Sequence, residues 1–406
     1  MSTAAGARLP TADEHVPDCV AGDVTIVAHD IGPVRGMERQ LSGLVVGLER
    51  LGYKITVVAR VCELPEGTDV TFRRVRGPSR PFLIAYPWFM LAGSLALRRW
   101  RRGVVQATGA IVFNHVDVIA VHYCHQVAAP TPSRATWVYR LHVKLAGALK
   151  RFGEQVCFRI NRAATFVCVS EGLSDELREH FPALAERVLT IHNGIDTADF
   201  TAGRRGREDE AEALRSALAI GEGRLVAAFV ASEWERKGLA AVIQALALAP
   251  EWDLVVAGGG DRPHYQSLAE SLGVGDSVHW LGVVRDVDVV YEMADAFVLP
   301  TSYESFSLVS FEAAASGLPV LVTPVHGVRE LIVDGQSGFF ITRDPSSIAT
   351  RLGQLTADPD LRRRLGEAAR DAAQSFDTSR MVAEHHELYL RLDRASGERT
   401  LLAGTG

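Results

Sequence analysis

The stretch Leu299-Pro-Thr-Ser-Tyr-Glu-Ser-Phe-Ser-Leu-Val-Ser-Phe-Glu312 holds a strand end, a loop and a helix start in one run. The apolar segment Ala296 to Leu299 is a strand, and Leu299-Pro300-Thr301 ends it. Ser302 to Ser305 makes the loop, and an apolar helical pattern runs from Ser307 to Ser316. Backbone N–H groups of Phe306, Ser307 and Leu308 lie free at such a helix start, along its positive dipole. That suits a phosphate or an anionic sugar substituent. Glu312 follows one to two turns later, where a carboxylate accepts hydrogen bonds from a ribose diol beside the phosphates. Glu304 sits in the loop, placed to grip sugar hydroxyls. Two glutamates alone read more readily as surface charges flanking an amphipathic helix.

The same alternation extends in both directions. Downstream, Val320 to Val322 is the next strand. Upstream, Leu225 to Val230, Asp253 to Ala257 and Val278 to Leu281 are short apolar runs bounded by Gly, Pro or charge. Helical patterns at Leu239 to Leu248, Tyr265 to Leu272 and Val287 to Met293 separate them. The first half repeats the scheme. Val24 to Ala28 is a strand, Ile31 to Gly36 a glycine-bearing loop, and Met37, Leu41, Leu44, Val45, Leu48 and Leu51 keep helical spacing up to Gly52. Ile55 to Ala59, Val104-Val105, Val118 to Val121, Phe166 to Val169 and Val188 to Ile191 supply further strands. The fold class is therefore α/β, two Rossmann-like parallel-sheet domains facing across a cleft. The expected division is a flexible N-terminus at 1–22, a first domain at 23–200, a linker at 201–222 and a second domain at 223–378. A C-terminal helix at 379–394 packs back on the first domain, and 395–406 is a tail.

Bulk properties narrow the function. A chain of 406 residues suits two domains. With 47% hydrophobic and 23% charged residues and a net charge of −6, nothing global favours nucleic acid. The five cysteines, Cys19, Cys62, Cys124, Cys157 and Cys168, form no Cys-x-x-Cys pair, which fits a reducing cytoplasm and argues against a zinc knuckle. Met1 to Asp23 lacks a basic segment followed by an apolar one, so no secretory signal is expected. Pro81 to Leu97 is uncharged, is followed by Arg98, Arg99, Arg101 and Arg102, and is shorter than the roughly 20 residues of a spanning helix. It reads as a buried helix or as an interfacial anchor. The helical stretch from Trp137 to about Ala164 carries Arg140, Lys144, Lys150, Arg151, Arg159 and Arg162, either a solvated face or one that meets acidic lipid or acceptor groups.

Two more segments carry chemistry. Arg236-Lys237-Gly238 follows a strand and precedes a helix, so adjacent cations reach the cleft, where they stabilise charge developing on a departing pyrophosphate. An exposed basic pair is the plainer reading. Ala257-Gly-Gly-Gly-Asp261 ends another strand, its glycines serving close ligand approach or a tight turn.

In order and spacing these pieces resemble the family 4 glycosyltransferases of GT-B fold. The family's Glu-x-Phe-Gly-x-x-x-x-Glu element stands here as Glu304 to Glu312, and its Arg-Lys-Gly turn as Arg236 to Gly238. Ser170-Glu-Gly, His192-Asn-Gly-Ile-Asp196, Gly317-Leu-Pro-Val, Gly327-Val-Arg-Glu330 and Asp334-Gly-Gln-Ser-Gly338 also match. The resemblance implies that Arg236 and Lys237 hold a donor diphosphate and Glu312 the ribose. Glu304 and the amides of Phe306, Ser307 and Leu308 hold the transferred sugar, and Gly36 approaches the phosphates from the first domain. His122, at the end of a first-domain strand, lies near the reacting centre, although His122 and His125 read equally well as structural imidazoles. Contacts to the donor base are expected near Gly282 to Arg285. The implied catalytic set is Glu304, Lys237, Arg236 and His122.

Family members of this type retain anomeric configuration and need no metal or other cofactor beyond the nucleotide-sugar donor, and the same is expected here. The expected partners are a nucleotide-diphosphate sugar, an acceptor glycan, lipid or small molecule, and a peripheral membrane contact. The expected place is the cytoplasm, at the inner face of the membrane, in glycolipid or surface-polysaccharide biosynthesis. Three departures stand out: Ser307 replaces the family's glycine, Gly36 stands where a Gly-Gly pair is usual, and His326-Gly327 replaces another such pair. None removes a charged group, so they are read as tuning specificity. A GT-B-type epimerase or phosphorylase, or a non-catalytic sugar- or membrane-binding scaffold, are the alternatives.

Overall fold

The structure is a computed structural model that describes residues 22–33, 36–127, 137–203, 207–284 and 286–403. Most of the expected N-terminal segment lies outside the described residues, as do Val34, Arg35 and Arg285. The strands of the first half are β1 (Asp23–Val27), β2 (Asp30–Ile31), β3 (Lys54–Ala59), β4 (Val61–Cys62), β5 (Val70–Arg74), β6 (Val104–Thr108), β7 (Val118–Val121), β8 (Thr165–Cys168) and β9 (Val188–Thr190). Among the described residues, seven of them form one sheet in the order β5-β3-β1-β6-β7-β8-β9, while β2 pairs with β4. The second half contributes β10 (Leu225–Val230), β11 (Trp252–Ala257), β12 (Val278–Gly282), β13 (Ala296–Leu299), β14 (Val320–Val322) and β15 (Phe339–Phe340), ordered β12-β11-β10-β13-β14-β15. Both sheets are parallel throughout their paired registers. Each reverses its strand order beside the first strand of its half, which is where doubly wound folds place ligands.

Helices on both faces explain why β6, β7, β11 and β13 are buried along their whole length, the polar Gln106, Thr108 and Asp253 included. The helix Gly36–Arg50 buries Leu41, Leu44, Val45 and Leu48. Met37, the first of the spaced apolar positions, is exposed. Strand β5, Val-Thr-Phe-Arg-Arg, escaped the sequence reading because it is a mostly exposed edge strand with little apolar pattern, held by its pairing with β3.

The chain crosses between the sheets twice, and the crossings are tied together. Ile195 donates its N–H to Phe376 O at 2.9 Å, Thr378 N–H donates to Ile195 O at 2.9 Å, and Thr197 Oγ1 donates to the Asp377 carboxylate at 2.7 Å. Burial pushes the Asp377 carboxyl up, but bonds from Ser379 and Thr197 outweigh it and hold the group below its ordinary range. In the stretch 201–222 the described backbone is largely helical, with helices Thr197–Gly203 and Glu208–Ala217. The final helix, Thr378–Ala403, returns to the first sheet. Met381, Val382, Leu388 and Tyr389 share a core with Leu41, Leu44, Val45 and Leu48, and Tyr389 Oη donates to Gln106 Oε1 at 2.8 Å.

Candidate functional site

The loop after β13 is shaped by one residue. Ser307 adopts φ 76°, ψ 61°, the left-handed conformation, and caps the helix Leu308–Ala315. Such a backbone favours glycine, which gives the family's glycine at this position a physical reason. Here the serine hydroxyl lies 2.9 Å from Ser310 Oγ. The Phe306 side chain turns inward and stacks on Phe311, with ring centroids 4.1 Å apart, so its backbone alone faces the loop's outer side. Across the cleft, Gly36 is the first residue of its helix, and a Cβ placed there would stand 3.0 Å from Leu308 Cδ1. The two domains are thus in near contact where Gly36 and Leu308 were expected to face a common ligand.

Glu312 is buried, accepts a bond from Tyr291 Oη at 3.1 Å, and is ion-paired with Arg39 of the first domain. Burial pulls the Arg39 guanidinium below its ordinary range. Neither Arg39 nor Tyr291 was singled out from sequence. Arg39 lies one turn into a helix whose exposed positions carry no pattern, and Tyr291 reads as an ordinary core aromatic.

The turn Trp234–Lys237 is framed by two left-handed residues, Glu233 (φ 55°) and Gly238 (φ 84°). A side chain at Gly238 would collide with the Pro300 carbonyl, so this glycine lets the turn lie against the end of β13. Arg236, Lys237 and Glu304 consequently meet. Arg236 Nη1 donates to Tyr303 O at 2.6 Å and to Glu304 Oε1 at 3.3 Å, while its Nη2 bonds Glu233 at 2.6 Å. Lys237 is ion-paired with Glu304, which also accepts from Thr301 Oγ1 at 2.9 Å. Burial lowers the Arg236 pKa, but the Glu304 and Glu233 carboxylates outweigh it and raise the group overall. The triple glycine after β11 resolves as packing. Gly258 takes φ 119° against the Ala231 carbonyl, and a side chain at Gly260 would strike the Trp234 ring.

His122 and His125 separate cleanly. His125 is satisfied, its Nδ1 lying 2.6 Å from Glu154 Oε1. His122 has no hydrogen-bond partner on Nδ1, and burial, its largest influence, draws it down to about 4. It is a neutral imidazole at the end of β7.

Contacts between the domains use several of the matched motifs. Ser170 Oγ donates to Ser305 O at 2.7 Å, Glu171 N–H donates to Glu330 at 3.1 Å, and Glu330 is also hydrogen-bonded to His192. His326 Nε2 lies 2.9 Å from Glu176 Oε2, and Tyr303 Oη donates to the same carboxylate at 3.3 Å. His326, which departs from the family's Gly-Gly pair, therefore serves the domain contact. Between the domains lies a cleft of about 1570 Å³, with Tyr123, Lys144 and Lys150 on one side and Arg236, Glu304 and Asp261 on the other. No group of three or more His, Cys, Asp or Glu side chains among the described residues could hold a metal ion.

Comparison with known proteins places this geometry. The family model for group 1 glycosyl transferases matches residues 210–372, and that for glycosyltransferase family 4 matches residues 34–199. An uncharacterized glycosyltransferase of Methanocaldococcus jannaschii is 26% identical over 379 residues, covering 88% of this chain and 94% of the relative. A D-inositol 3-phosphate glycosyltransferase of Salinispora arenicola is 32% identical over 325 residues, covering 71% of each chain. In fold the chain is similar to WaaG, a glycosyltransferase involved in lipopolysaccharide biosynthesis, with a TM-score of 0.74 at 21% identity over 90% of this chain and 99% of that one. The paired sheets, the facing cleft and the matched motifs agree: this chain belongs to the family 4, group 1 glycosyltransferases and is a GT-B enzyme that acts on a nucleotide-sugar donor.

Proposed function

We propose that the enzyme transfers its sugar with retention of anomeric configuration and without a metal, using Arg236 and Lys237 as the charge that a divalent ion supplies elsewhere. The observation that carries this reading is the convergence of Arg236, Lys237 and Glu304 at the cleft, opposite the near contact of Gly36 with Leu308. The bond from the anomeric carbon to the diphosphate oxygen breaks as the bond to the acceptor oxygen forms on the same face, and the acceptor proton passes to the departing phosphate oxygen. The two cations stabilise the diphosphate, which gains charge in that step. Glu312 holds the ribose; Glu304 with the amides of Phe306, Ser307 and Leu308 holds the transferred sugar. In this reading His122, uncharged at neutral pH, hydrogen-bonds the transferred sugar.

The acceptor reading is a membrane-proximal glycolipid or surface-polysaccharide precursor, met on the cytoplasmic side. No helix among the described residues is long and apolar enough to cross a membrane, so contact would be peripheral. Support comes from the basic side chains of helix Trp137–Ile160, which line the cleft wall opposite the donor side. A thermal-shift screen of nucleotide sugars identifies the donor, since a ligand that binds the folded state raises Tm. NMR of the product then reads its anomeric configuration, and chelator-treated enzyme should keep its rate. An inverted product, or activity lost to the chelator and restored by a divalent ion, overturns the mechanism.

A further inference from the structure

The helix Phe82–Trp100 is packed on one face only. Ala85, Tyr86, Phe89, Met90, Gly93 and Leu97 are buried. Ile84, Trp88, Leu91 and Leu95, spaced at four, three and four, are exposed by 57%, 49%, 61% and 66%. Four large apolar side chains in one exposed row are a contiguous surface, unlike single apolar residues scattered over a protein. The neighbouring helix Trp137–Ile160 continues the pattern. It crosses the first helix near Phe82 and Tyr86, where Lys150 stands over the Phe82 ring and Gly153 approaches Tyr86. It turns Leu141, Leu145 and Phe152 outward while other positions line the cleft.

Charge says what covers this face. Between Asp69 and Glu154 the chain carries thirteen Lys and Arg and one acidic residue, Asp117, in a protein whose net charge is −6. Arg98, Arg99, Arg101 and Arg102 follow the apolar row, and Arg76 and Arg80 precede it; all six are exposed, and no carboxylate among the described residues pairs with them. Beside Trp88, whose Nε1 donates to Arg76 O at 2.9 Å, lies a pocket of about 580 Å³ lined by Arg60, Arg74 and Arg76. Asp30 also lines this pocket and pairs with Arg60, while Arg74 has no carboxylate partner among the described residues. An apolar row flanked by unpaired arginines matches the acyl boundary and phosphate layer of a bilayer, in that order from the row outward.

We propose that this face docks on a bilayer bearing anionic phospholipid, with Ile84, Trp88, Leu91 and Leu95 entering the acyl boundary and the arginines taking lipid phosphates. The proposal rests on the membrane-proximal reading of the acceptor. The cleft is lined by the neighbouring helix Trp137–Ile160, which packs on the docking helix, so docking sets the acceptor side of the site near the lipid surface.

The test is flotation of the full chain with phosphatidylglycerol–phosphatidylcholine vesicles and with phosphatidylcholine vesicles, in low salt and without substrate. Wild type should bind the anionic vesicles and lose most of that binding as salt rises. The double variant Leu91→Glu/Leu95→Glu should bind about tenfold or more weakly, as should Arg98→Gln/Arg99→Gln, with Tm unchanged because these side chains are exposed. No binding by wild type, or equal binding by all three proteins, overturns the proposal. So does a stable dimer in light scattering that Leu91→Glu/Leu95→Glu dissociates, since a second copy would then cover the row. Donor binding measured by thermal shift is independent of vesicles, so failure here leaves the transferase reading to its own test.

Discussion

Arg39 and Glu312, 273 positions apart, form an ion pair across the cleft, joining the first helix of one domain to the helix that follows the donor-side loop of the other. If Glu312 holds the donor ribose, Arg39 competes with the donor for that carboxylate. Glu312→Ala should therefore weaken binding of the donor's nucleoside diphosphate by about tenfold or more, the scale of a charge-assisted hydrogen bond. Arg39→Ala should leave that affinity unchanged or improve it. Isothermal titration of both variants decides the matter, and a tenfold loss in Arg39→Ala would make Arg39 a direct donor ligand.

Lys237 and Arg236 share the Glu304 carboxylate, so each single loss leaves Glu304 with one cation. The expected cost is catalytic, because charge on the leaving diphosphate grows toward the transition state. Lys237→Ala should lower kcat by about 10²–10³-fold, with a much smaller change in Tm. Steady-state kinetics beside a melting curve separate the two effects. A variant that keeps its kcat removes Lys237 from the catalytic set.

Ser307 sets strain against a hydrogen bond. Its left-handed backbone costs about 1–2 kcal/mol, while its hydroxyl bond to Ser310 returns about 1 kcal/mol. Ser307→Gly relieves the strain but loses the bond and frees the unfolded chain, so stability should change by less than about 1 kcal/mol. Ser307→Val keeps the strain, adds a branched Cβ and loses the bond, and should cost about 2 kcal/mol or more. Urea unfolding of the two variants measures the difference; equal losses would mean the loop does not hold Ser307 in this conformation.

His29, His122 and His385 are each drawn to about 4, mainly by burial. Their folded pKa lies below the unfolded value, so the unfolded chain takes up protons first as pH falls. Stability from these groups is complete above pH 6.5, declines through the window down to about 4, and declines no further below it. The slope is at most about 1.4 kcal/mol per pH unit for each histidine. Melting curves between pH 7.5 and 4 should show this fall, and His385→Leu should flatten it; an unchanged slope would place its source elsewhere.

By itself the sequence determined the two α/β halves, because strand and helix periodicities are local and each apolar run reports its own burial. It also determined that Arg236 and Glu304 lie between a strand and a helix and that Glu312 lies in the helix that follows. Tertiary structure decided how these groups are partnered. Arg39 reaches Glu312, His326 reaches Glu176 and Glu330 reaches His192 through pairings between distant segments, which no spacing encodes. It decided the edge strand Val70–Arg74, which pairs by its backbone and needs no apolar pattern. It split the uncharged run from Pro81 to Leu97 into a packed face and an exposed one, because a uniformly apolar helix carries no mark of which side its neighbours will cover.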